Sequence, residues 1–323
     1  KLNSLNIHNK THNWICNYLN NRKQCVVLNG CSSSYITVYS GVPQGSVLGP
    51  LLFLIYINDI VDGIQSSIKL FADDCVVYRE INSPSDVSIL QSDLDKIVNW
   101  CQRWQMNLNI RKCNHVHFSN KKFELPTQYI VENITIKSVS ECKYLGVYFM
   151  QTLKWNTHIQ QSISKASKML YFIRRNFKSA SKDVKETLYL LHVRSILDYA
   201  SIIWDPYQAY LIEAIEKLQN QAARFISNNY NPFQSITEIK SLLGSEPLNI
   251  RRKNLRHKFF HRIFYNQTGI DSRNYLLEPT YVSTRHDHSK KVREYNTNTN
   301  SFSKSFFPQT VKDWNLLPEE CVS

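Results

Sequence analysis

The spacing of apolar and polar residues predicts short strands in the first half of the chain. Apolar residues alternate with other residues over 68–72 and form a second run at 75–78, which predicts a β-hairpin with Asp73 and Asp74 at its tip. Other short apolar runs predict strands at 24–28, 35–39, 107–110, 113–118, 129–139 and 142–149. Helical spacing predicts helices at 1–20, 51–60 and 84–104, the last beginning after Ser83 with Pro84 in its first turn.

Longer helical stripes dominate the chain after residue 152. They predict helices at 155–177, 182–204 and 211–226, which together form a small bundle. Residues 283–304 are rich in Ser, Thr, Asn and Lys, which indicates loop or disorder, and Trp314–Pro318 could pack back onto the body. We therefore expect an α+β protein with three regions, at 1–152, 153–229 and 230–323.

Charge indicates a polyanionic partner. The 323 residues carry a net charge of +13, with a pI near 9.3, so nucleic acid is the first expectation and an anionic membrane surface the second. No apolar run has the length of a membrane span, so we predict no membrane insertion. Eight cysteines without a C-x-x-C pair favour a reduced, intracellular protein, and nothing distinguishes nucleus from cytoplasm.

Asp73 and Asp74 are the first candidates for chemistry. Two adjacent carboxylates repel each other unless a cation lies between them, and Mg²⁺ prefers carboxylate oxygens. Taken alone, the pair is also consistent with an ordinary tight turn, because Asp is a common turn residue.

A glycine-rich segment, Gly41–Pro50, contains three of the eight glycines and leads into the helix predicted at 51–60. Glycine allows the backbone to approach a ligand closely, and the Gln44 amide can donate and accept hydrogen bonds. The segment could therefore hold a nucleotide or base pair, or it is an ordinary junction between loop and helix.

The order and spacing of Pro43–Pro50 and Phe71–Asp74 resemble the reverse transcriptases of non-LTR (LINE-type) retrotransposons. Residues 100–113 and 143–149 resemble the next two blocks of that family, and 155–226 lies where the family has its thumb. The resemblance implies the C-terminal part of a right-hand polymerase. We expect a truncated palm, with an antiparallel sheet flanked by helices, then a helical thumb bundle and a mostly helical tail.

The resemblance also implies roles for individual residues. Asp73 and Asp74 would bind magnesium, with two ions in the intact enzyme, and Lys112 would approach the triphosphate and help to protonate the leaving pyrophosphate. The residues expected to line the pocket for the nucleotide and template base are Pro43, Gln44, Gly45 and Ser46. Those expected to position the primer end are Tyr144, Leu145 and Gly146. The implied partners are an RNA template, a DNA primer and deoxynucleoside triphosphates.

Two groups of cations are candidates for contact with a nucleic-acid backbone, although cations on a helix are often only solvated surface. The first group lies in the helix predicted at 155–177, and the second on a later basic helix. Their members are Lys165, Lys168, Arg174 and Arg175 in the first group, and Arg251 and Arg252 in the second.

The sequence departs from the family in one respect. The family has a further catalytic aspartate on a strand upstream of the segment that matches residues 1–20, whereas no acidic residue precedes Asp59 here. We therefore expect this polypeptide to be inactive alone. The alternatives are a non-catalytic, nucleic-acid-binding relic, a viral RNA polymerase, whose turn is usually Gly-Asp-Asp, and a group II intron maturase. The sequence does not predict an oligomeric state.

Overall fold

The computed structural model describes residues 1–119, 128–283 and 286–322. About half of the chain is helical and the strands are short, which makes it an α+β protein. The chain forms two compact units. The first contains Lys1–His115 and Lys121–Ser138, and the second contains Val116–Asn120 and Val139–Ser323, as far as their residues are described.

The first unit combines three α-helices with ten short strands among its described residues. The helices are α1 (Asn9–Leu19), α2 (Leu48–Ile57) and α3 (Pro84–Arg103). The strands are β1 (Arg22–Gln24), β2 (Val27–Leu28), β3 (Cys31–Ser32), β4 (Ile36–Val38), β5 (Ser67–Phe71), β6 (Asp74–Tyr78), β7 (Asn114–His115), β8 (Ile130–Val131), β9 (Ile134–Thr135) and β10 (Lys137–Ser138).

The strands of the described residues form two-stranded sheets, whereas the resemblance implies an antiparallel palm sheet flanked by helices. Five pairs are antiparallel hairpins or ribbons, and β7 pairs with β10 in parallel. The predicted strand at 129–139 is wrong as one element, because Glu132 and Asn133 have positive φ and turn the chain between β8 and β9. The strand at 107–110 is also wrong. A 3₁₀ turn, Ile110–Lys112, precedes the two-residue β7.

The core of the first unit lies between α2, α3 and the β5–β6 hairpin. Its buried residues are Ile57, Ile60, Ile97 and Cys101, and the inner face of the hairpin, formed by Ile68, Leu70 and Val77, packs against them. Each large apolar side chain that is fully buried stabilises the fold by about 1.5–3 kcal/mol. This core therefore fixes the base and the inner face of the hairpin.

Asp93 lies on the apolar face of α3 and is fully buried. Its carboxylate accepts hydrogen bonds from the backbone N–H groups of Gln65, at 3.1 Å, and Ser66, at 2.7 Å, and from Lys96 Nζ at 2.9 Å. Burial would raise the pKa of Asp93, but the hydrogen bonds from Lys96, Ser66 and Gln65 outweigh it and lower the pKa to about 2. Asp93 thus anchors the segment that leads into β5.

The ammonium group of Lys1 lies among three aromatic rings of the first unit. Its Nζ is 3.9 Å from the ring centre of Trp104, 4.6 Å from that of Trp100 and 5.0 Å from that of Tyr56. It also forms an ion pair with Asp59, which accepts a hydrogen bond from Trp100 Nε1 at 2.9 Å. Cation–π attraction and this ion pair tie the start of the chain to α2 and α3.

The second unit contains one hairpin and nine α-helices among its described residues. The strands are β11 (Glu141–Tyr144) and β12 (Val147–Met150). The helices are α4 (Asn156–Asn176), α5 (Lys182–Tyr189), α6 (Ser195–Asp198), α7 (Ser201–Trp204), α8 (Ala209–Ile226), α9 (Ile236–Leu242), α10 (Leu248–Phe264), α11 (Asn300–Ser303) and α12 (Phe306–Asn315).

The predicted bundle is present in the second unit. Ile159, Leu170, Trp204 and Ile215 are among the residues of its core, which joins α4 to α8. The helices predicted at 155–177 and 211–226 are confirmed as α4 and α8. The single helix predicted at 182–204 is wrong, because a π-helical segment, Leu190–Arg194, and a break after α6 divide it.

The tail of the second unit has its own small core, in which Phe260 and Trp314 are buried. The expected packing of Trp314 is therefore confirmed. The loop expected at 283–304 agrees with residues 286–299, which form no helix or strand, although His288 and Val292 are buried. Residues 284–285 lie outside the described residues. In the part of the chain that the structure describes, no helix combines the length and apolar character needed to cross a membrane.

The exchange Asp93→Asn is expected to lower the free energy of unfolding at pH 7 by about 2–3 kcal/mol, because an amide cannot replace both charged oxygens. The folded pKa, about 2, lies below the ordinary value of 3.8. The stabilisation is therefore fully present above about pH 4 and is lost as the pH falls towards 2.

Urea unfolding at several pH values would measure this contribution. The matched control is Asp95→Asn, which changes an exposed carboxylate of the same helix that accepts only from Gln91 Nε2 in the described structure. A loss for Asp93→Asn no larger than for this control would show that Asp93 is not an anchor.

Candidate active site

The two aspartates lie at the tip of the β5–β6 hairpin, as the sequence predicts. Phe71 pairs with Asp74 at the end of the ladder, so Ala72 and Asp73 form a two-residue turn. Ala72 has φ 50°, in the left-handed region that costs a non-glycine residue about 1–2 kcal/mol. The turn places Asp73 at the tip and Asp74 on the first residue of β6.

Both carboxylates are exposed, and neither forms an ion pair with any described residue. On the ladder, Asp74 is opposite Phe71, whose side chain is 61% exposed, so this side of the hairpin faces away from the core. Among the described residues, no group of three or more His, Cys, Asp or Glu side chains is arranged to hold a metal ion. The hairpin tip therefore contributes two exposed carboxylates and no larger cluster of ligand-type side chains in the described structure.

The glycine-rich segment forms a closed turn in front of α2. The Ser46 hydroxyl donates to the carbonyl oxygen of Pro43 at 2.7 Å and accepts from the N–H of Gly49 at 3.0 Å. A Cβ atom on Gly49 would be 2.8 Å from the Pro43 carbonyl oxygen, a distance that real Cβ atoms essentially never show. Gly45 has φ 79°, which favours glycine as well. Ser46, predicted to face the nucleotide, thus holds the turn together with its hydroxyl.

Three candidate segments of the first unit share one core. Phe53 of α2 packs against the same buried cluster as Leu70 of the aspartate hairpin and Leu108, which lies four residues before Lys112. Lys112 ends the 3₁₀ turn that follows, and its side chain is exposed. The turn before α2, the hairpin and the Lys112 segment are therefore attached to one apolar body.

The residues expected to position a primer form the tip of the β11–β12 hairpin in the second unit. Tyr144 pairs with Val147, which leaves Leu145 and Gly146 as a two-residue turn with φ 45° and 82°. Positive φ at both positions is the rule for a type I′ hairpin turn. The continuous strand predicted at 142–149 is wrong for this reason, although a close approach at Gly146 is found.

The two groups of predicted backbone contacts differ in the structure. Lys165, Lys168, Arg174 and Arg175 are exposed on α4, and none of them forms an ion pair with a described residue.

Arg252, by contrast, is 1% exposed, and its Nε donates to Asp205 at 2.7 Å. Arg256 bridges Asp205 and Asp313, and Arg251 donates to Asp198 at 2.8 Å. The expectation that Arg252 contacts a nucleic acid is incompatible with this burial, and Arg251 is already paired.

Comparison with known proteins assigns a family to the first part of the chain. Residues 1–149 match the family model described as reverse transcriptase (RNA-dependent DNA polymerase). Residues 1–149 therefore belong to the reverse transcriptase family.

Relatives extend the similarity beyond this reverse transcriptase segment. The chain is 30% identical over 219 residues to a probable RNA-directed DNA polymerase from transposon X-element of Drosophila melanogaster, a match covering 65% of the chain and 24% of that relative. It is 32% identical, over 64% of the chain and 24% of the relative, to the RNA-directed DNA polymerase from mobile element jockey of Drosophila funebris. The resemblance to LINE-type reverse transcriptases is confirmed.

The chain spans about a quarter of the length of the curated relatives that it matches. The chain is also 28% identical to the RNA-directed DNA polymerase from mobile element jockey of Drosophila melanogaster, over 76% of the chain and 28% of the relative. Similarity to mobile-element polymerases therefore continues past the reverse transcriptase segment into the residues of the second unit.

Sequence reasoning missed two features that support the reverse transcriptase segment. Asp93 interrupts the apolar stripe of α3 between Leu90 and Ile97, and this acid on a buried face was an available signal. The close approach of Gly49 to the Pro43 carbonyl is only weakly indicated by the sequence, which shows a glycine near the start of a predicted helix.

Gly49→Ala is expected to lower the free energy of unfolding by about 1–2 kcal/mol. Alanine is the better helix former by about 1 kcal/mol, but the clash of its Cβ with the Pro43 carbonyl oxygen outweighs this gain. Urea unfolding measures the change. Gly269→Ala is the control, since a Cβ there meets no atom within 4 Å. If Gly49→Ala unfolds at the same urea concentration as the wild type or at a higher one, the backbone at Pro43 moves without cost to admit the Cβ atom.

Proposed function

We propose that this chain supplies part of the catalytic centre and the nucleic-acid grip of an RNA-directed DNA polymerase. The observation that carries the proposal is the pair of exposed carboxylates, Asp73 and Asp74, at the tip of a hairpin in a reverse transcriptase segment. Carboxylate oxygens without ion-pair partners in the described structure are a donor set that suits Mg²⁺. The proposed reaction is transfer of a nucleotide to the 3′-hydroxyl of a DNA primer on an RNA template.

Asp73 and Asp74 would hold the metal in this reaction. A pair of Mg²⁺ ions, when bound, would activate the primer hydroxyl and neutralise charge on the leaving pyrophosphate. Asp73 lies in the turn itself and Asp74 on the adjoining strand, so we expect Asp73 to contribute more. The apolar core behind Ile68, Leu70 and Val77 would keep both carboxylates in position.

The turn before α2 would receive the deoxynucleoside triphosphate and its template base. Pro43, Gln44 and Gly45 would supply backbone groups and an amide, while the Ser46 hydroxyl keeps the turn closed. Lys112, an exposed ammonium on the same apolar body, would approach the triphosphate and provide a proton for the leaving pyrophosphate. Tyr144, Leu145 and Gly146 would position the primer end from their hairpin turn.

The exposed cations of α4 would contact the backbone of the RNA–DNA duplex. Lys165, Lys168, Arg174 and Arg175 lie within about 15 Å along one helix, since each residue advances the helix by 1.5 Å. Phosphate contacts of this kind provide affinity without reading sequence. The buried Arg252 is left out of this interface because its partner is Asp205.

We further propose that the 323-residue polypeptide does not extend primers by itself. Holding two ions takes carboxylates from two directions, and no group of three or more His, Cys, Asp or Glu side chains among the described residues is arranged to hold a metal ion. A second candidate function, nucleic-acid binding without catalysis, is supported by the cations of α4, which form no ion pair with any described residue. Metal binding at Asp73 distinguishes the two.

Binding of Mn²⁺, followed by electron paramagnetic resonance as a probe for the Mg²⁺ site, tests the hairpin. We expect weak binding by the wild-type chain and its loss in Asp73→Asn, because an amide carries no charge to attract the ion. Asp62→Asn is the control, an exposed carboxylate of the same unit. Unchanged binding in Asp73→Asn would favour the non-catalytic function.

Primer extension on an RNA template with deoxynucleotides and Mg²⁺ tests the predicted inactivity. We expect no product from the wild-type chain, for lack of carboxylates from a second direction. Product that forms with the wild-type chain and disappears with Asp73→Asn would contradict the prediction and establish a complete active site.

Replacing Lys165 or Lys168 by Gln is expected to weaken binding to an RNA–DNA duplex and to reduce the slope of log affinity against log salt by about 1 per residue. Fluorescence anisotropy at several salt concentrations gives both quantities. Lys312→Gln, at an exposed site on α12, is the control. Arg252→Gln should instead lower stability by about 1–3 kcal/mol, since the carboxylate of Asp205 loses one of its two arginine partners. Salt slopes equal to the wild type in the α4 variants would remove α4 from the interface.

A further inference from the structure

The turn formed by Leu145 and Gly146 is an unusual one for its residue types. Type I′ turns favour Asn-Gly or Gly-Gly, because both positions need positive φ. Leu145 has φ 45°, a conformation in which a bulky side chain is a genuine outlier. Such a conformation persists when its surroundings hold it, so the turn needs a contact from outside the hairpin.

Tyr199 supplies contacts to both residues of this turn. Its hydroxyl donates to the carbonyl oxygen of Leu145 at 2.6 Å. Its ring lies so close to Gly146 that a Cβ there would be 3.2 Å from Tyr199 Cε1, which is tighter than nearly all real Cβ contacts. One side chain therefore fixes the carbonyl of the first turn residue and covers the second.

The backbone of Tyr199 is itself held by the bundle. Trp204, which is fully buried in the bundle core, donates from Nε1 to the carbonyl oxygen of Tyr199 at 2.9 Å. The next residue, Ala200, has φ 52°, which ends α6 and begins α7. Together with the π-helical segment Leu190–Arg194, this break makes the chain irregular on both sides of Tyr199. Irregular helix geometry of this kind is frequent at functional sites.

The contact between Tyr199 and the turn lies at the surface. The side chain is 55% exposed and borders an open groove of about 480 Å³. Polar residues from the hairpin and from α4 line the groove on either side, among them Lys143, Gln161, Ser162 and Lys165. A hydrogen bond in this setting adds little to global stability, but it fixes where the turn lies relative to the groove.

We propose that Tyr199 is a positioning residue that holds the Leu145–Gly146 turn in place for the primer end, so that the bundle and the hairpin act as one grip. The inference rests on the proposed function, in which this turn positions the primer. Tyr199 contacts the turn and not the reacting atoms. Its hydroxyl is the group that matters, because the ring alone leaves the Leu145 carbonyl without its donor.

The experiment compares the wild-type 323-residue chain with Tyr199→Phe and with Tyr207→Phe. Tyr207 is a matched control, since it is 44% exposed and its hydroxyl bonds to none of the described residues. Fluorescence anisotropy measures the affinity for an RNA–DNA duplex with a recessed primer 3′ end and for a blunt duplex of equal length. Hydrogen exchange over 141–150 and thermal unfolding are measured on the same samples.

Tyr199→Phe is expected to lower the preference for the recessed end about three- to tenfold, the range that one hydrogen bond supplies. Amide exchange over 141–150 should become faster, while affinity for the blunt duplex and the unfolding midpoint stay at wild-type values. Tyr207→Phe should change none of these quantities.

Three results would overturn the inference. If Tyr199→Phe changes neither the preference for the recessed end nor the exchange rate over 141–150, the inference about Tyr199 is wrong. The proposed function would not be affected by that result. If Tyr199→Phe lowers the unfolding midpoint enough to explain the weaker preference for the recessed end, the contact of Tyr199 only stabilises the fold. A wild-type chain without any preference for a recessed end would overturn the proposed function, and the inference with it.

Discussion

Two like charges at the tip of a short hairpin repel each other, and the first unit is built around that constraint. Asp73 and Asp74 gain no ion pair from any described residue, so the hairpin must be held from its other face. The apolar core behind Leu70 holds one face, and Asp93 fixes the segment that enters the first strand. Packing of the apolar core thus holds the hairpin in position although the two carboxylates at its tip repel each other.

Charge in the second unit is divided between the interior and the surface. Arg252 and Arg256 are buried against Asp205 and Asp313, where removing one partner would leave an uncompensated charge. The cations of α4 have no such partners among the described residues. A net charge of +13 therefore does not show where a polyanion would bind, because some of the cationic side chains form ion pairs with carboxylates inside the fold.

Local signals in the sequence were sufficient for the aspartate hairpin and for the long helices. Ile68 and Leu70, separated by Lys69, leave one face of the strand before Asp73 for the core, and the capping box of Ser83 and Asp86 starts α3. Turn positions were harder, because Leu145 occupies a conformation that its residue type disfavours. The sequence carries no local mark of a contact such as that of Tyr199, which comes from a segment 54 residues away.

The burial of Arg252 was also beyond prediction. Its neighbours along the helix are basic as well, and the acid that neutralises it, Asp205, is 47 residues away in sequence. A cluster of cations looks the same in a sequence whether it faces water or an internal carboxylate. The two groups of predicted backbone contacts could be told apart only by their three-dimensional partners.

Ala72 bears on how polymerases are classified from short motifs. Its φ of 50° is one that glycine adopts without strain, so a Gly-Asp-Asp segment could follow the same backbone path. The change from glycine to alanine before the aspartates therefore does not by itself require a different turn. Sorting sequences by that single residue would then separate chains whose turns can share one backbone path.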